Sequence, residues 1–317
     1  DIVYQLGAFR LDDYIGSPLP SAQTSSNYPN LKALDINKFE RQIQYLKKYT
    51  NIIKIEDIDI INLNSKKNYS LLTFDDGYLD HYKYVFPILK KNKVHGAFFI
   101  PVKSIIKKEI LLVNKIHFIL EKFFKRENKL EKIIKNYLEK ENTKLSKIKK
   151  NWNLKRSKRK VRNFDNKKIF FIKDLLQNIL PKQRRSKLVN TLFKNFVSKN
   201  FKKFHKELYM SEKQIKYLKN NGMHIGSHGY EHNWYEFMDS KSQKSDIKKS
   251  YNILKKLKVL SPIKTFCYAY GSHNNSSVKI LKKEKVKYAF TTVKGLEKNI
   301  NNYNKLKLKR YDTNDIN

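Results

Sequence analysis

The sequence predicts an α/β protein whose parallel strands form a sheet or a barrel, interrupted by a long helical segment. Three observations predict it. Strand-like YSLLTF (69–74) and HGAFFI (95–100) flank a helix-like stretch, which is the order of a βαβ unit. The same alternation resumes after Met210 with strand-like MHIGS (223–227). Between the two lies a Lys-rich region whose apolar residues recur at helical spacing.

Taken in order, IVYQL (2–6) reads as a short strand. Asn37 and Glu40 have capping-box spacing, and Phe39, Ile43 and Leu46 then share one helical face. A helix is expected over Tyr82–Lys91 despite Pro87. In the middle region Ile116, Ile119, Leu120 and Phe123 mark a helix face. Its segment KKNWNLKRSKRKVRNFDNKK (149–168) holds a single acid, Asp165, and reads as a solvated insertion; Trp152 and Phe164 are too sparse for a base-stacking platform. Further on, Ser211 and Gln214 have capping-box form, Ile215 and Leu218 supply an apolar face, and Gly222 is placed to end that helix. A helix over 243–258 turns Ile247, Tyr251, Leu254 and Leu257 inward. Strand-like KTFCYAY (264–270), YAFTT (288–292) and LKLKRY (306–311) complete the chain. The expected organisation is therefore 1–104 and 211–317 as two parts of one barrel, with 105–210 as a helical insertion.

The charge is unusual: 68 Lys and Arg against 29 Asp and Glu give +39. Such a field attracts anions, although abundant Lys, Asn and Ile also point to a biased coding background. With one cysteine, Cys267, neither an intrachain disulfide nor a cysteine-based metal cluster can form. No apolar run approaches the roughly 20 residues that span a bilayer. The N-terminal DIVYQLGAF does not read as a signal peptide, yet it lacks an initiating Met, which leaves a removed leader open. The location is not fixed by the sequence, with the cytoplasm slightly favoured.

Two motifs carry chemistry. Thr73-Phe74-Asp75-Asp76-Gly77 ends an apolar strand in adjacent carboxylates and a turn-permitting glycine. Adjacent carboxylates repel when both are ionised, so a divalent cation is one natural partner; a solvated Asp-Asp-Gly turn is the plainer alternative. His228-Gly229-Tyr230-Glu231-His232 sets two imidazoles four residues apart. Two His and one carboxylate leave a metal a position for reactive water, though two surface histidines would look the same. Both motifs follow predicted strands, where parallel α/β folds place their sites. His-x-x-Glu-His is also a metallopeptidase pattern, but Gly229 and the preceding strand make a poor context for its helix.

Together, LLTFDDGY (71–78) and NGMHIGSH (221–228) resemble the first two signature motifs of the NodB-homology polysaccharide deacetylases, carbohydrate esterase family 4. The resemblance implies a distorted (β/α) barrel, usually of seven strands. It implies Asp75 as general base, and Asp76, His228 and His232 as ligands of one divalent ion, Zn2+ first, with Co2+, Mn2+ or Ni2+ as alternatives. Tyr270 would contribute its backbone N–H to the oxyanion. The substrate would be a carbohydrate carrying an N-acetyl or other N-acyl group, and the basic charge would suit an anionic, lipid-linked or nucleotide-linked one. Peripheral membrane contact through the basic surface is a further expectation, and nucleic acid is not an expected partner.

The sequence also departs from the family pattern. Gly229 stands where Ser or Thr is usual. The third motif, commonly Arg-x-Pro-Tyr, is matched by Cys267-Tyr268-Ala269-Tyr270 only at Tyr270, so the arginine that orients the base is missing there; Arg310 is either its substitute or a surface charge. The late Leu-x-His is not found, leaving His273 and His81 as candidates by proximity. Trp234 joins Arg310, His273 and His81 as a candidate substrate contact. These departures motivate a second reading, a non-catalytic glycan- or nucleic-acid-binding protein on a degenerate scaffold.

Overall fold

The computed structural model describes residues 6–10, 34–60, 68–155, 167–297, 300 and 304–315. Two compact units emerge: one from Leu6–Arg10 with the described parts of Lys32–Glu109 and Lys202–Asn317, the other from the described parts of Ile110–Phe201.

The first unit is built on a parallel sheet of β1 (Leu6–Arg10), β2 (Asn51–Ile52), β3 (Tyr69–Phe74), β4 (Gly96–Ile100), β5 (His224–Ser227), β6 (Thr265–Cys267), β7 (Tyr288–Phe290) and β8 (Tyr311–Asp312). The order is β7-β6-β5-β4-β3-β1-β8, with β2 pairing the start of β3. Near the end of the chain, Thr291 N–H bonds Leu308 O, Arg310 N–H bonds Val293 O, and Tyr311 pairs Phe9. One irregular run thus touches both β7 and β1, and the sheet curls into a distorted (β/α) barrel. The expected seven strands are corrected to six of three residues or more among the described residues, with two-residue β2 and β8 beside them. LKLKRY does not extend as a strand: Leu308 makes a single bridge to Phe290, and only Tyr311 continues into β8. Among the described residues a strand runs over Leu6–Arg10, meeting the expected 2–6 at Leu6, while 2–5 lie outside the described residues.

Side-chain alternation sorts the strand residues into two cores. Leu72, Phe74, Phe98, Ile100 and Ile225 pack outward with helix residues Phe39, Ile43, Leu46, Leu218 and Leu254. Leu71, Ala97, Phe99, Cys267 and Phe290 fill the interior with Leu308. Burial on both faces explains why YSLLTF and GAFFI read as unbroken apolar runs. Cys267, with its side chain in the interior core, lies at the C-terminal end of β6.

The crossover helices follow local rules. Ile36–Tyr49 is capped by Asp35, which accepts from Lys38 N–H at 3.0 Å, so the cap lies two residues before the expected Asn37. Pro87 sits in the first turn of Phe86–Lys91, where its missing N–H costs little, and a π turn at His81–Val85 leads into it. Ser211 and Gln214 close the expected capping box on Glu212–Asn220, and Gly222 (φ +83°) turns the chain toward β5. The helix Ser240–Lys256 buries Ile247, Tyr251 and Leu254, with Leu257 half-buried beyond it.

The second unit is helical: Leu112–Lys122, Glu127–Lys140, Leu145–Lys155, Lys167–Asp174 and Lys182–Phe196. Ile116, Ile119 and Phe123 are buried, with Leu120 half-buried. Trp152 is a core residue whose indole N–H bonds Asp174 at 2.7 Å; Phe164 and Asp165 lie outside the described residues. Among the described residues no helix is long and apolar enough to cross a membrane.

Candidate active site

Asp75 and Asp76 follow β3 directly and diverge. Asp76 adopts a left-handed conformation (φ 69°), followed by Gly77 (φ 67°), and this reversal sends the two neighbouring carboxylates into different surroundings. His232 (φ 58°) and Tyr270 (φ 59°) are also left-handed. Each of the three motif segments therefore holds a non-glycine residue in a conformation that costs energy. Such strain persists only where surrounding contacts enforce it.

Asp76 faces the histidines. Its Oδ1 lies 3.1 Å from His232 Nε2 and 3.5 Å from His228 Nε2, while Oδ2 accepts from the Tyr78 hydroxyl at 2.9 Å. All three residues are buried. His228 bonds the carbonyl of Cys267 through Nδ1 at 2.7 Å; a carbonyl can only accept, so Nδ1 carries the proton. Burial pushes His228 down to about 4, against the partial opposition of Asp75 and Asp76, so the ring is neutral at pH 7. Its Nε2 lone pair then faces a carboxylate oxygen that is itself buried without a hydrogen-bond partner. Burial alone would raise Asp76, yet His232, His228 and the Tyr78 hydroxyl outweigh it and hold the carboxyl well below the usual range. One donor atom from each of Asp76, His228 and His232 lies within 4.8 Å of the others. This cluster of electron-pair donors could hold a divalent ion, and its one-carboxylate, two-imidazole composition fits such a group.

Asp75 faces Arg310 instead. The guanidinium donates from Nη1 to Oδ1 at 3.2 Å and from Nη2 to Oδ2 at 2.8 Å. It also donates to Thr73 Oγ1 (3.1 Å), Cys267 Sγ (3.1 Å) and Thr291 O (2.8 Å), so its N–H groups are all engaged. Cys267 in turn donates to Asp75 Oδ2 at 3.2 Å. Arg310 is only 2% exposed, which removes the surface-charge alternative. The guanidinium absent from the third motif reaches Asp75 from the far end of the chain.

The loop from His228 to His232 is held from behind by Asp246, on the helix Ser240–Lys256. Its Oδ2 accepts from Tyr230 N–H (2.8 Å) and the Tyr235 hydroxyl (2.7 Å), and its Oδ1 from Asn233 Nδ2 (3.0 Å). A Cβ on Gly229 (φ +78°) would stand 2.8 Å from Tyr235 Oη and 2.9 Å from Asp246 Oδ2. The hydroxyl usual at 229 is thus replaced by a carboxylate and a phenol occupying that space. Residues 228–232 form no helix, and Glu231 pairs with Lys103 at 2.9 Å; the metallopeptidase pattern lacks the geometry it requires.

Among the remaining sequence candidates, Tyr270 packs edge-on against His232 (ring centroids 4.6 Å) and stacks on Trp234 (4.1 Å, 11°). His273 bonds Gly271 O through Nδ1 at 2.8 Å and packs on Tyr268. His81 is buried among Phe74, Tyr78 and Phe98 and is pushed down to about 4 by that burial. Sequence reading missed Asp246, Tyr78 and the contact role of Cys267. Asp246 left a faint signal, as the only acid in SQKSDIKKSYNILKKLK and next to inward-facing Ile247.

A parallel β/α barrel with strained, buried carboxylates and imidazoles after its strands defines a barrel enzyme. The chain belongs to the polysaccharide deacetylase family, whose profile matches residues 62–141 and 155–289, and it is a carbohydrate deacetylase. Solved structures share the fold. The Streptococcus pyogenes deacetylase PplD, in complex with acetate, is 15% identical with a TM-score of 0.55, covering 98% of this chain and 92% of that one. IcaB from Ammonifex degensii is 16% identical, with a TM-score of 0.54 and coverage of 97% and 91%. The de-N-acetylase from Aggregatibacter actinomycetemcomitans is 14% identical, with a TM-score of 0.51 and coverage of 98% and 95%. No curated protein sequence matches the chain.

Proposed function

We propose that this deacetylase is a divalent-metal-dependent hydrolase that removes an N-acetyl or other N-acyl group from an amino sugar. The observation that carries this reading is the division of labour between neighbouring carboxylates. Asp76 shares a buried cluster with two Nε2 atoms, while Asp75 is turned away and gripped by Arg310.

In this reading Asp76, His228 and His232 hold the ion, Zn2+ being the first choice for a two-imidazole, one-carboxylate set. When bound, such an ion polarises the acyl carbonyl and acidifies water. The Cys267 carbonyl fixes the His228 tautomer that leaves Nε2 free to ligate. Asp75 takes the proton of the attacking water, and Arg310 and Cys267 hold its carboxylate in one orientation while it does so. The backbone N–H of Tyr270 is assigned to the developing oxyanion. The proton gathered by Asp75 is then available to the departing amine nitrogen.

The net charge of +39 supports an anionic, lipid-linked or nucleotide-linked carbohydrate, drawn in by the positive field. That part of the reading requires a KM that rises with salt, and a salt-independent KM would remove it. The whole is tested by metal analysis of purified protein together with acetate or formate release from a panel of N-acylated amino sugars. Protein that binds no divalent metal, or that keeps full activity as Asp75→Asn, would overturn it.

A further inference from the structure

We infer that Tyr78 is a positioning residue that commits Asp76 to a bound cation through one oxygen only. The inference rests on the metal-dependent reading above and deepens it, from which residues hold the ion to how one of them is presented. The two oxygens of Asp76 have unequal surroundings. Oδ1 is buried without a hydrogen-bond partner and lies 3.1 Å from His232 Nε2 and 3.5 Å from His228 Nε2. Oδ2 instead accepts from the Tyr78 hydroxyl at 2.9 Å. A carboxylate can ligate through either oxygen or through both. Here the hydrogen bond pins the rotation of the group with Oδ1 toward the imidazoles.

Tyr78 can enforce that orientation because it is itself fixed. It is 1% exposed, and its ring stacks on Tyr209 (centroids 6.0 Å, 15°) and meets His81 edge-on (5.7 Å, 65°). Its backbone makes an antiparallel bridge to Tyr209, and Met210 N–H bonds Gly77 O at 3.0 Å. The segment that follows the helix Phe201–Leu208 thus clamps the turn that carries Asp76. The hydroxyl is in place before an ion arrives, so little ordering remains to be done on binding. A carboxylate that takes one position rather than two leaves the ion room for water and for the acyl oxygen, as a catalytic site requires.

The test titrates the full chain with cobalt and follows its visible absorption, in wild type, Tyr78→Phe and Tyr209→Phe. Tyr78→Phe keeps the ring and its stacking and removes only the hydroxyl. Its Asp76 should turn the second oxygen to the ion, raising the coordination number, so the absorption per bound cobalt should weaken. Cobalt affinity should fall roughly tenfold. Tyr209→Phe leaves the stack and the Tyr78 hydroxyl in place and should keep the wild-type spectrum. The spectrum decides: if it is unchanged in Tyr78→Phe, the role is overturned whatever the affinity. The same spectral change in both variants would trace it to a loosened turn and would also overturn the role. Cobalt binding by wild type that survives in Asp76→Ala would instead refute the metal reading itself, and this inference with it.

Discussion

Arg310 grips Asp75 through two N–H bonds, Nη1 to Oδ1 at 3.2 Å and Nη2 to Oδ2 at 2.8 Å, across a separation of 235 residues. Both groups are buried, so the pair is no surface decoration, and in the proposed mechanism it orients the base. Removing one member of such a pair leaves a desolvated charge, at a cost of about 3–5 kcal/mol. Arg310→Ala should therefore lower both the urea midpoint and kcat. Arg310→Lys keeps the charge but loses the planar fork, and should still lower kcat at least about tenfold. Wild-type kcat in the lysine variant would refute the orienting role.

Chelation should abolish acyl release, and added divalent metal should restore it. Saturating metal should also raise the melting temperature of wild type, by linkage worth about 2.7 kcal/mol at a hundredfold excess over Kd. Asp76→Ala and His232→Ala should lose that rise. Equal thermal shifts in wild type and both variants would place the ion elsewhere.

Gly229→Ser restores the residue type usual in the family and should nevertheless be harmful. Its Cβ would crowd Tyr235 Oη at 2.8 Å and Asp246 Oδ2 at 2.9 Å, at a φ of +78°. We expect a stability loss of about 1–3 kcal/mol and weaker metal binding, measured by denaturation and by cobalt absorption spectra. A neutral substitution would show that the loop relaxes freely.

Asp246→Ala should free the Tyr230 N–H and the Tyr235 hydroxyl that the carboxylate holds. Groups that orient metal-binding loops typically contribute about 10–100-fold in metal affinity. Cobalt titration should show a drop of that order in Asp246→Ala and a smaller one in Asp246→Asn. Unchanged affinity in the alanine variant would exclude the positioning role.

Asp80 is 3% exposed, and burial raises its carboxyl to about 7 despite Lys83. The folded state thus binds this proton more tightly than the unfolded chain. Its contribution is fully present below the ordinary carboxylate value near 4 and is lost as pH rises through 7. Asp80→Asn should gain on wild type across that window, by roughly 2–4 kcal/mol at most, in urea unfolding followed against pH. A constant difference from pH 4 to pH 8 would refute the buried-proton account.

Much of the fold was legible because its causes are local. YSLLTF and GAFFI announce strands covered on both faces, and Ser211 with Gln214 announces a helix start, since burial pattern and capping act within a few residues. Asp75, Asp76 and His228 could be singled out for a related reason: they follow directly on recognisable strands, and His232 lies four residues beyond His228. The cap at Asp35 was missed because several polar residues there compete for the same short-range bond.

The sequence by itself determined the parallel α/β architecture and the residue types at the site, through periodicity and two short motifs. Only the tertiary structure decided what those residues do to one another. Left-handed turns at Asp76 and His232 set directions that no composition encodes. Arg310, Cys267 and Asp246 became part of the site solely because barrel curvature and a crossover helix bring distant segments together. Pairing across such distances depends on closing the whole chain, and short-range sequence patterns carry no record of it.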